Sequence, residues 1–226
     1  MSADPEPGSL PRLVIATANP GKLVELDRIL ASSGAAVELA TLTDYPGAPD
    51  VVETGATFAE NALLKARAVA AFTGLPAVAD DSGLCVDALN GMPGLLSARW
   101  SGRHGDDLAN LNLLLAQLAD VPDERRGAHF ACTAVLVLPA GPGAGPGAGP
   151  GAGPGAEHVS EGTVHGRLIR EPRGSNGFGY DPIFVPDGAD RTTAELSPAE
   201  KDAISHRSRA LRGLLPAIAA ALDLGL

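Results

Sequence analysis

Apolar residues along the chain gather into short runs of the length and composition of buried strands. Such runs predict strands at residues 13–16, 75–79, 84–89, 128–138, 159–169 and 182–185. Between them lie segments in which apolar residues recur every three or four positions, which is typical of helices packed on a sheet. The pattern therefore indicates strands interleaved with helices, as in an open α/β sheet.

The predicted helices carry recognisable start signals. Asn19 suits an N-cap and Pro20 the first helical position of a helix that runs to about residue 30. Capping-box patterns, TFAE at 57–60 and SPAE at 197–200, announce two more helices. Residues 108–118 read as an amphipathic helix. We expect the last helix to continue towards the C-terminus with a break before Pro216.

Length and composition bound the organisation of the chain. Its 226 residues, 45% of them hydrophobic, suffice for one good core or for two lobes that share a sheet. Residues 1–11 are polar and proline-rich, so we predict a disordered tail followed by a single domain over 12–226. Four copies of Gly-Pro-Gly-Ala fill residues 141–156. Because strand patterns flank this repeat, we predict a mobile loop at a hairpin tip without a catalytic role.

The net charge of −10 argues against a nucleic-acid polymer as partner, because binding to a phosphate backbone requires a basic face. No apolar stretch is long enough for a membrane span, so no membrane partner is expected. Cys85 and Cys132 are isolated and form no short pairing pattern, which favours a reducing cytoplasm. Any anionic substrate must then be met by local lysines and arginines or by a divalent cation.

The most informative segment is ADDSG at 79–83, where two adjacent carboxylates follow a short apolar run. A strand end of this kind is the usual place for a ligand in an α/β sheet, so Asp80 and Asp81 are candidate metal ligands. The alternative is an ordinary turn, since Asp-Asp-Ser-Gly is also good turn chemistry. The segment alone does not decide between them.

Acidic and basic residues elsewhere are candidates for the same site. Glu53 and Glu60 lie before and within the first turn of the second helix, and Glu60 already has a role in the capping box, which favours Glu53 as the metal carboxylate. Lys65 could meet a phosphate, although a lone helix lysine is more often solvated. The segment TANPGK at 17–22 combines a hydroxyl, free amides at a helix start and a lysine, which suits phosphate oxygens. It lacks the spacing of a P-loop, and an ordinary capped helix is the alternative.

Near the C-terminus, the loop RGSNGFGYDP at 173–182 combines glycines, aromatic residues and an aspartate. Its glycines allow close approach to a flat ligand, and Phe178 offers a stacking face. A structural turn with core aromatics fits as well. Lys201, His206 and Arg207 cluster at helix starts, where they could equally form a solvated basic face.

Taken together, TANPGK, ETGATFAENALLKA, ADDSG, PGLLSARWSG, GFGYDPIF and AEKDAISHR closely resemble the signatures of one family. It is the family of noncanonical purine nucleoside triphosphate pyrophosphatases, the inosine/xanthosine triphosphate pyrophosphatases. The resemblance runs from about residue 13 to 222 and is interrupted by the Gly-Pro repeat. It implies an α/β fold with two lobes around a long mixed sheet, an active site in the cleft between them, and a Mg²⁺-dependent homodimer. The implied reaction converts dITP, ITP or XTP to the monophosphate and pyrophosphate.

The resemblance also implies roles for individual residues. Asp81 would be the general base and a metal carboxylate, with Asp80 and Glu53 completing the metal environment. The implied substrate contacts are Thr17, Ala18, Asn19, Pro20, Gly21, Lys22, Lys65, Ser82, Phe178, Gly179, Tyr180, Asp181, Lys201, His206 and Arg207. Two rival interpretations stay open: a pyrophosphatase for other modified or canonical nucleotides, and a catalytically silent nucleotide sensor.

Overall fold

A computed structural model describes residues 10–34, 36–140 and 155–224. In these residues the strands are β1 (Arg12–Ile15), β2 (Glu38–Thr41), β3 (Ala77–Val86), β4 (Gly127–Val137), β5 (Glu157–Leu168) and β6 (Phe184–Pro186). The α-helices are α1 (Pro20–Ser32), α2 (Phe58–Thr73), α3 (Asp107–Gln117), α4 (Pro198–Ile204) and α5 (His206–Ala221). The strands form one sheet in the order β2-β1-β3-β4-β5-β6. Since β1 pairs in parallel with β2 and β3 while the later pairs are antiparallel, the sheet is mixed.

Strand β3 runs through two hydrophobic cores. Near its start, Val78 packs with the apolar faces of α1 and α5. Near its end, Leu84 packs in a different cluster with Leu114 of α3 and Phe184 of β6. The long β3–β4–β5 ladder therefore joins two lobes along one sheet, and the predicted α/β, two-lobed architecture is confirmed.

A third cluster covers the opposite face of the first lobe. There the alanines of α2, Ala62 and Ala66, contact Ala77 and Ala79 of β3. Small side chains on both surfaces let a helix approach a sheet closely, which explains the alanine-rich sequence of α2. This close packing brings the polar residues of α2 near the middle of β3.

Three sequence predictions about the elements are wrong. The strand predicted to end before Asp80 continues to Val86, because β4 pairs with β3 along its whole length, and residues 84–89 are not a separate strand. The last helix breaks at Ser205 instead of before Pro216: the Ser205 side chain accepts from the Ser208 amide and begins α5. Pro216 lies inside α5. The buried Leu214 and Ile218 anchor this helix in the core. Strand β2 was not anticipated, since residues 38–41 form no apolar run.

The Gly-Pro repeat connects β4 to β5, as predicted. These two strands pair antiparallel, and the Leu138 amide donates to the Ala156 carbonyl at 2.9 Å, so the chain leaves and re-enters the sheet at neighbouring points. Residues 141–154 of the repeat and residues 1–9 of the predicted tail lie outside the described residues. Their predicted mobility stays a prediction.

Candidate active site

The segment between β1 and α1 forms a capped helix start at the edge of a cleft. Asn19 caps α1, its Oδ1 accepting from the Lys22 amide at 3.2 Å, and Pro20 is the first helical residue, as predicted. The Thr17 hydroxyl accepts from the Asn19 amide at 3.2 Å and so fixes the approach to the helix. The Lys22 Nζ lies 3.1 Å from Asp80 Oδ2. A helix N-terminus and an ammonium group are thus held side by side, an arrangement that favours anionic oxygens.

The paired aspartates lie mid-strand, and they point to opposite faces of the sheet because successive strand residues alternate. Asp80 is fully buried and contacts Lys22, Arg207 and the Cys132 thiol. Burial disfavours its charge, but the neighbouring cations Lys22, Arg207 and Lys65 hold the pKa of Asp80 well below its usual value. Asp80 is therefore an internal anion, and the structure does not bring its carboxylate to the other expected metal ligands.

Asp81 points towards α2 and the cleft. Its Oδ1 lies 3.7 Å from Lys65 Nζ, and the same ammonium group contacts Glu53 Oε1 at 2.9 Å. Glu53 also accepts from Arg99 at 3.3 Å. Lys65 thus stands between two carboxylates that face one space. Among the described residues, no group of three or more His, Cys, Asp or Glu side chains is arranged to hold a metal ion.

The two carboxylates differ in pKa. Burial is the largest influence on Asp81 and raises its pKa, although Lys65 and Lys22 act in the other direction. Burial also disfavours the charge of Glu53, but there Lys65 and Arg99 prevail and lower the pKa. The surroundings therefore shift the two pKa values in opposite directions: they favour proton uptake by Asp81 and the charged form of Glu53.

Asn61 orients Asp81. It is 1% exposed, donates to Asp81 Oδ2 at 3.1 Å and accepts from the Gly55 amide at 2.8 Å. A Cβ on Gly55 would lie 2.6 Å from the Glu60 Cβ, so this turn needs glycine.

Glu60 caps the helix start, but it accepts from the Ala56 amide at 2.6 Å and not from Thr57 as the capping-box pattern predicted.

A buried ion network occupies the other end of the cleft. Glu25 of α1 accepts from Lys201 at 2.8 Å and from the Arg207 guanidinium. Lys201 also donates to Asp181 Oδ2 at 2.6 Å. Burial works against the charges of both cations, but their carboxylate partners raise the pKa of Lys201 and of Arg207. The predicted cluster of Lys201 and Arg207 is thus no solvated basic face.

His206 stacks on Phe130, with the ring centroids 4.8 Å apart and the planes 9° from parallel. Burial, reinforced by the charges of Arg207 and Lys201, lowers the pKa of His206 well below its usual value. The imidazole is therefore neutral at physiological pH. It offers a hydrogen-bonding edge without charge.

The loop at 177–181 carries an aromatic ring over these cations. The Phe178 ring centroid lies 5.1 Å from Lys201 Nζ and 5.6 Å from the central carbon of the Arg207 guanidinium. Asp181 fixes the loop by accepting from the Phe178 amide at 2.9 Å, and the Tyr180 hydroxyl donates to the Ser97 carbonyl at 2.9 Å. The ring is held as one wall of the cleft.

These groups surround one cleft of about 1410 Å³. Its lining includes every predicted site residue except Asp80, namely Thr17, Ala18, Asn19, Pro20, Gly21, Lys22, Glu53, Lys65, Asp81, Ser82, Phe178, Gly179, Tyr180, Asp181, Lys201, His206 and Arg207. Glu53 lines the cleft, whereas Glu60 does not. The geometry thus brings a cationic helix start, a carboxylate pair and an aromatic wall to one cavity large enough for a nucleotide.

The family model of the Ham1 family matches residues 13–217, which include all of these cleft residues. The chain belongs to the Ham1 family. A curated relative from Streptomyces coelicolor, named dITP/XTP pyrophosphatase, is 58% identical over 207 residues, which cover 92% of this chain and 96% of the relative.

Solved structures of Ham1 relatives share the fold. The crystal structure of a nucleoside-triphosphatase / dITP/XTP pyrophosphatase from Mycobacterium abscessus is 58% identical, covers 92% of this chain and 99% of its own, and superposes with a TM-score of 0.69. A HAM1 protein from Coxiella burnetii is 39% identical, with 93% and 100% of the chains covered and a TM-score of 0.77. In the described part of this Ham1 chain, no helix has the length and apolar character needed to cross a membrane.

Residues outside the predicted set also build the Ham1 cleft. Arg99, His104 and Asp107 line it, while Glu25 and Asn61 hold its side chains from behind. A signal for the last two exists in the sequence. Glu25 lies on the same helical face as Ile29, and Asn61 on the same face as Val69, so each is a polar residue at a buried helical position. Such a residue needs a polar partner in the core.

Proposed function

We propose that this chain hydrolyses the noncanonical purine nucleoside triphosphates dITP, ITP and XTP to the monophosphate and pyrophosphate. The names of the curated relatives, dITP/XTP pyrophosphatase at 58% identity, support this proposal. The observation that carries it is the Asp81 carboxylate, which lines the same cleft as the cationic start of α1 and the Phe178 ring.

Asp81 serves as the general base. Asn61 occupies one of its oxygens, and the Ser82 amide donates to the other at 3.0 Å, so the carboxylate has a fixed orientation. Burial raises the pKa of Asp81, which makes it a stronger base than an exposed aspartate. Asp81 can therefore take a proton from a water molecule that attacks the α-phosphorus.

The residues around Asp81 fit a divalent cation by the chemistry of their donors. Asp81 and Glu53 supply carboxylate oxygens on one side of the cleft, and Mg²⁺ in nucleotide sites is commonly bound by one or two carboxylates together with substrate phosphates. Asp80 does not join them, because it faces the interior. A bound Mg²⁺ would neutralise charge on the phosphate oxygens.

The triphosphate itself is met by this chain's cations. Lys22 and Lys65 line the cleft near Asp81, and the amides at the start of α1 add partial positive charge. These local groups offset the net charge of −10 of the whole chain. They orient the phosphates and stabilise the charge that develops on the leaving pyrophosphate.

The base is held at the buried end. Phe178 supplies a stacking surface, and the donors there, Lys201 and Arg207, suit the 6-oxo group of hypoxanthine or xanthine. The 6-amino group of adenine would set donor against donor and leave a buried group unpaired. Three nitrogens of Arg207 already donate, to Asp80, Glu25 and Ser82, so this residue has less freedom for a two-point contact with a base than its type suggests.

A substrate panel tests the proposal. With Mg²⁺ present, the chain should release pyrophosphate from ITP, dITP and XTP with kcat/KM at least about a hundredfold above that for ATP and GTP. Equal turnover of ATP would favour a general nucleotide pyrophosphatase instead. Tight binding of ITP without pyrophosphate release would make the chain a sensor.

The proposal extends to the oligomeric state of the enzyme and to the compartment in which it works. We infer that the enzyme works as a homodimer in a reducing cytoplasm, where Cys85 and Cys132 stay free thiols. Sedimentation of the purified chain at micromolar concentration checks the dimer. A monomer that keeps full activity would contradict it.

A further inference from the structure

Two consecutive aspartates at the start of α3 do different work. Asp106 is the N-cap, and its Oδ1 accepts from the Ala109 amide at 3.1 Å. Asp107 is the first helical residue, and its Oδ2 reaches across the cleft wall to accept from the Gly179 amide at 2.8 Å. Helix capping therefore does not account for Asp107. Its carboxylate ties α3 to the loop that carries Phe178.

The loop that Asp107 contacts is also held by a second set of hydrogen bonds. The Phe178 amide donates to Asp181, which is itself held by Lys201 and by the Thr193 hydroxyl at 2.8 Å. The next amide in the chain, that of Gly179, donates to Asp107. Two successive amides are thus bound by carboxylates, one from within the loop and one from α3.

Small movements of this loop would move the Phe178 ring against close neighbours. A Cβ built on Gly21 would lie 2.7 Å from Phe178 Cδ1, so the ring edge abuts the start of α1. Gly179, with φ of +61°, adopts a left-handed conformation that glycine reaches without strain. Because glycine also leaves the backbone free to rearrange, an external tie at this residue restricts the loop most effectively.

We propose that Asp107 is a positioning residue that sets the Phe178 ring for stacking on the nucleobase. This inference rests on the proposed function, in which Phe178 contacts the base. A hydrogen bond from an amide to a charged acceptor is stronger than a neutral one, and holding a binding wall in place before the ligand arrives lowers the cost of binding. Asp107 thus lowers KM for the nucleotide, and the attack on phosphorus does not involve it.

The test compares Asp107→Ala with Asp107→Asn and Asp106→Ala. Steady-state kinetics with ITP and amide hydrogen exchange of the segment around Gly179 are measured on all variants and on the wild type. We expect Asp107→Ala to raise KM about tenfold with kcat within about threefold, and to speed exchange of the Gly179 amide about tenfold. Asp107→Asn keeps an acceptor oxygen, so its KM and the exchange rate of its Gly179 amide should lie close to the wild-type values. Asp106→Ala removes the cap, so it should lower the melting temperature while KM stays near the wild-type value.

Each of the following outcomes either supports or overturns the positioning role of Asp107. A KM rise as large in Asp107→Asn as in Asp107→Ala, with the Gly179 amide of Asp107→Asn exchanging near the wild-type rate, would mean that the charge meets the substrate directly, and it would overturn the positioning role. Faster exchange without a KM change would make the tie purely structural and overturn it as well. A wild-type chain that turns over neither ITP nor XTP would overturn the proposed function and this inference with it. A KM rise confined to Asp107→Ala, with faster exchange, supports the inference.

Discussion

The two ends of the cleft are built on opposite principles. At the α2 end, Lys65 is shared between Glu53 and Asp81, and the Glu53 side chain is 25% exposed. At the α5 end, the side chains of Glu25 and Arg207 are 8% and 2% exposed and paired with each other inside the fold. One end has charges that solvent and ligand can reach, and the other has charges that are mostly engaged with protein groups.

The difference follows from what each end has to bind. Phosphates and a cation must displace existing ion pairs, which is easier at the α2 end, where Glu53 remains partly exposed. Discrimination between bases needs donors whose positions do not adapt, and the buried cations Lys201 and Arg207, which carboxylates hold in place, provide such donors. We therefore expect variants at the α2 end to change turnover and variants at the α5 end to change stability and selectivity.

The largest effect should come from Asp81→Asn. The amide has nearly the same shape, but it neither accepts a proton nor carries the negative charge that the cation requires. We expect kcat for ITP to fall at least about a thousandfold with the fold intact. Stopped assays of pyrophosphate release measure this loss. Asp120→Asn, at an exposed aspartate, is the matched control. Retention of more than about a tenth of wild-type kcat in Asp81→Asn would contradict the assignment of Asp81 as the general base.

Arg207→Ala should separate the two ends. Removing this guanidinium leaves Glu25 and Asp80 without one of their buried partners, so we expect a loss of about 3–5 kcal/mol in the free energy of unfolding, measured by chemical denaturation. Below the melting temperature, we expect activity on ITP to fall more than activity on ATP.

Lys22→Ala is the comparison for that variant. Because Lys22 is expected to meet phosphates, both triphosphates should lose activity by the same factor. Matching ITP-to-ATP ratios in Arg207→Ala and Lys22→Ala would show that the base-reading and phosphate-reading residues are wrongly assigned.

A smaller effect concerns stability and pH. The pKa of Asp81 is raised in the folded state, so its ionisation opposes folding; this cost is absent below the ordinary aspartate pKa and complete above the raised value. Asp81→Asn removes the cost. Its melting temperature should exceed that of the wild type at pH 7.5, and the difference should shrink as the pH falls towards the ordinary aspartate pKa. A difference that grows on acidification would contradict the assigned direction of the pKa shift.

The smallest effect is expected far from both ends. Replacing residues 141–154 by a short turn joins strands that already lie side by side, since Leu138 and Ala156 share a hydrogen bond. Loop length changes closure entropy slowly, so kcat/KM for ITP should stay within about threefold. A larger loss would show that the repeat contributes to the cleft or to a partner subunit.

The sequence predicted local chemistry better than it predicted long-range pairing. The Asn19 cap and the Pro20 helix start follow from short-range rules and were anticipated. The substrate contact at Phe178 was implied only by the family resemblance. The predicted strand was cut short because the apolar run ends at Ala79, whereas β3 continues to Val86. Only pairing with β4, some fifty residues later in the chain, shows that these carboxylates lie mid-strand.

The same limit explains the residues of the site that were missed or misplaced. Asp80 was expected beside the metal carboxylates, but strand alternation turns it towards Lys22 and Arg207, which arrive from two different helices. The position of Glu25 on the apolar face of α1 signals a buried acid, but its partners become known only when α4 and α5 bring two cations to it. Buried ion networks depend on which elements meet, and a single sequence does not contain that information.

The central claim is that Asp81 activates water for attack on the α-phosphate of a 6-oxo purine triphosphate. Hydrolysis of ITP in ¹⁸O-labelled water, followed by mass spectrometry of both products, tests it most directly. The account predicts inosine monophosphate and pyrophosphate in equal amounts, with the label in the monophosphate. Label in pyrophosphate, or release of inorganic phosphate and the diphosphate, would contradict it.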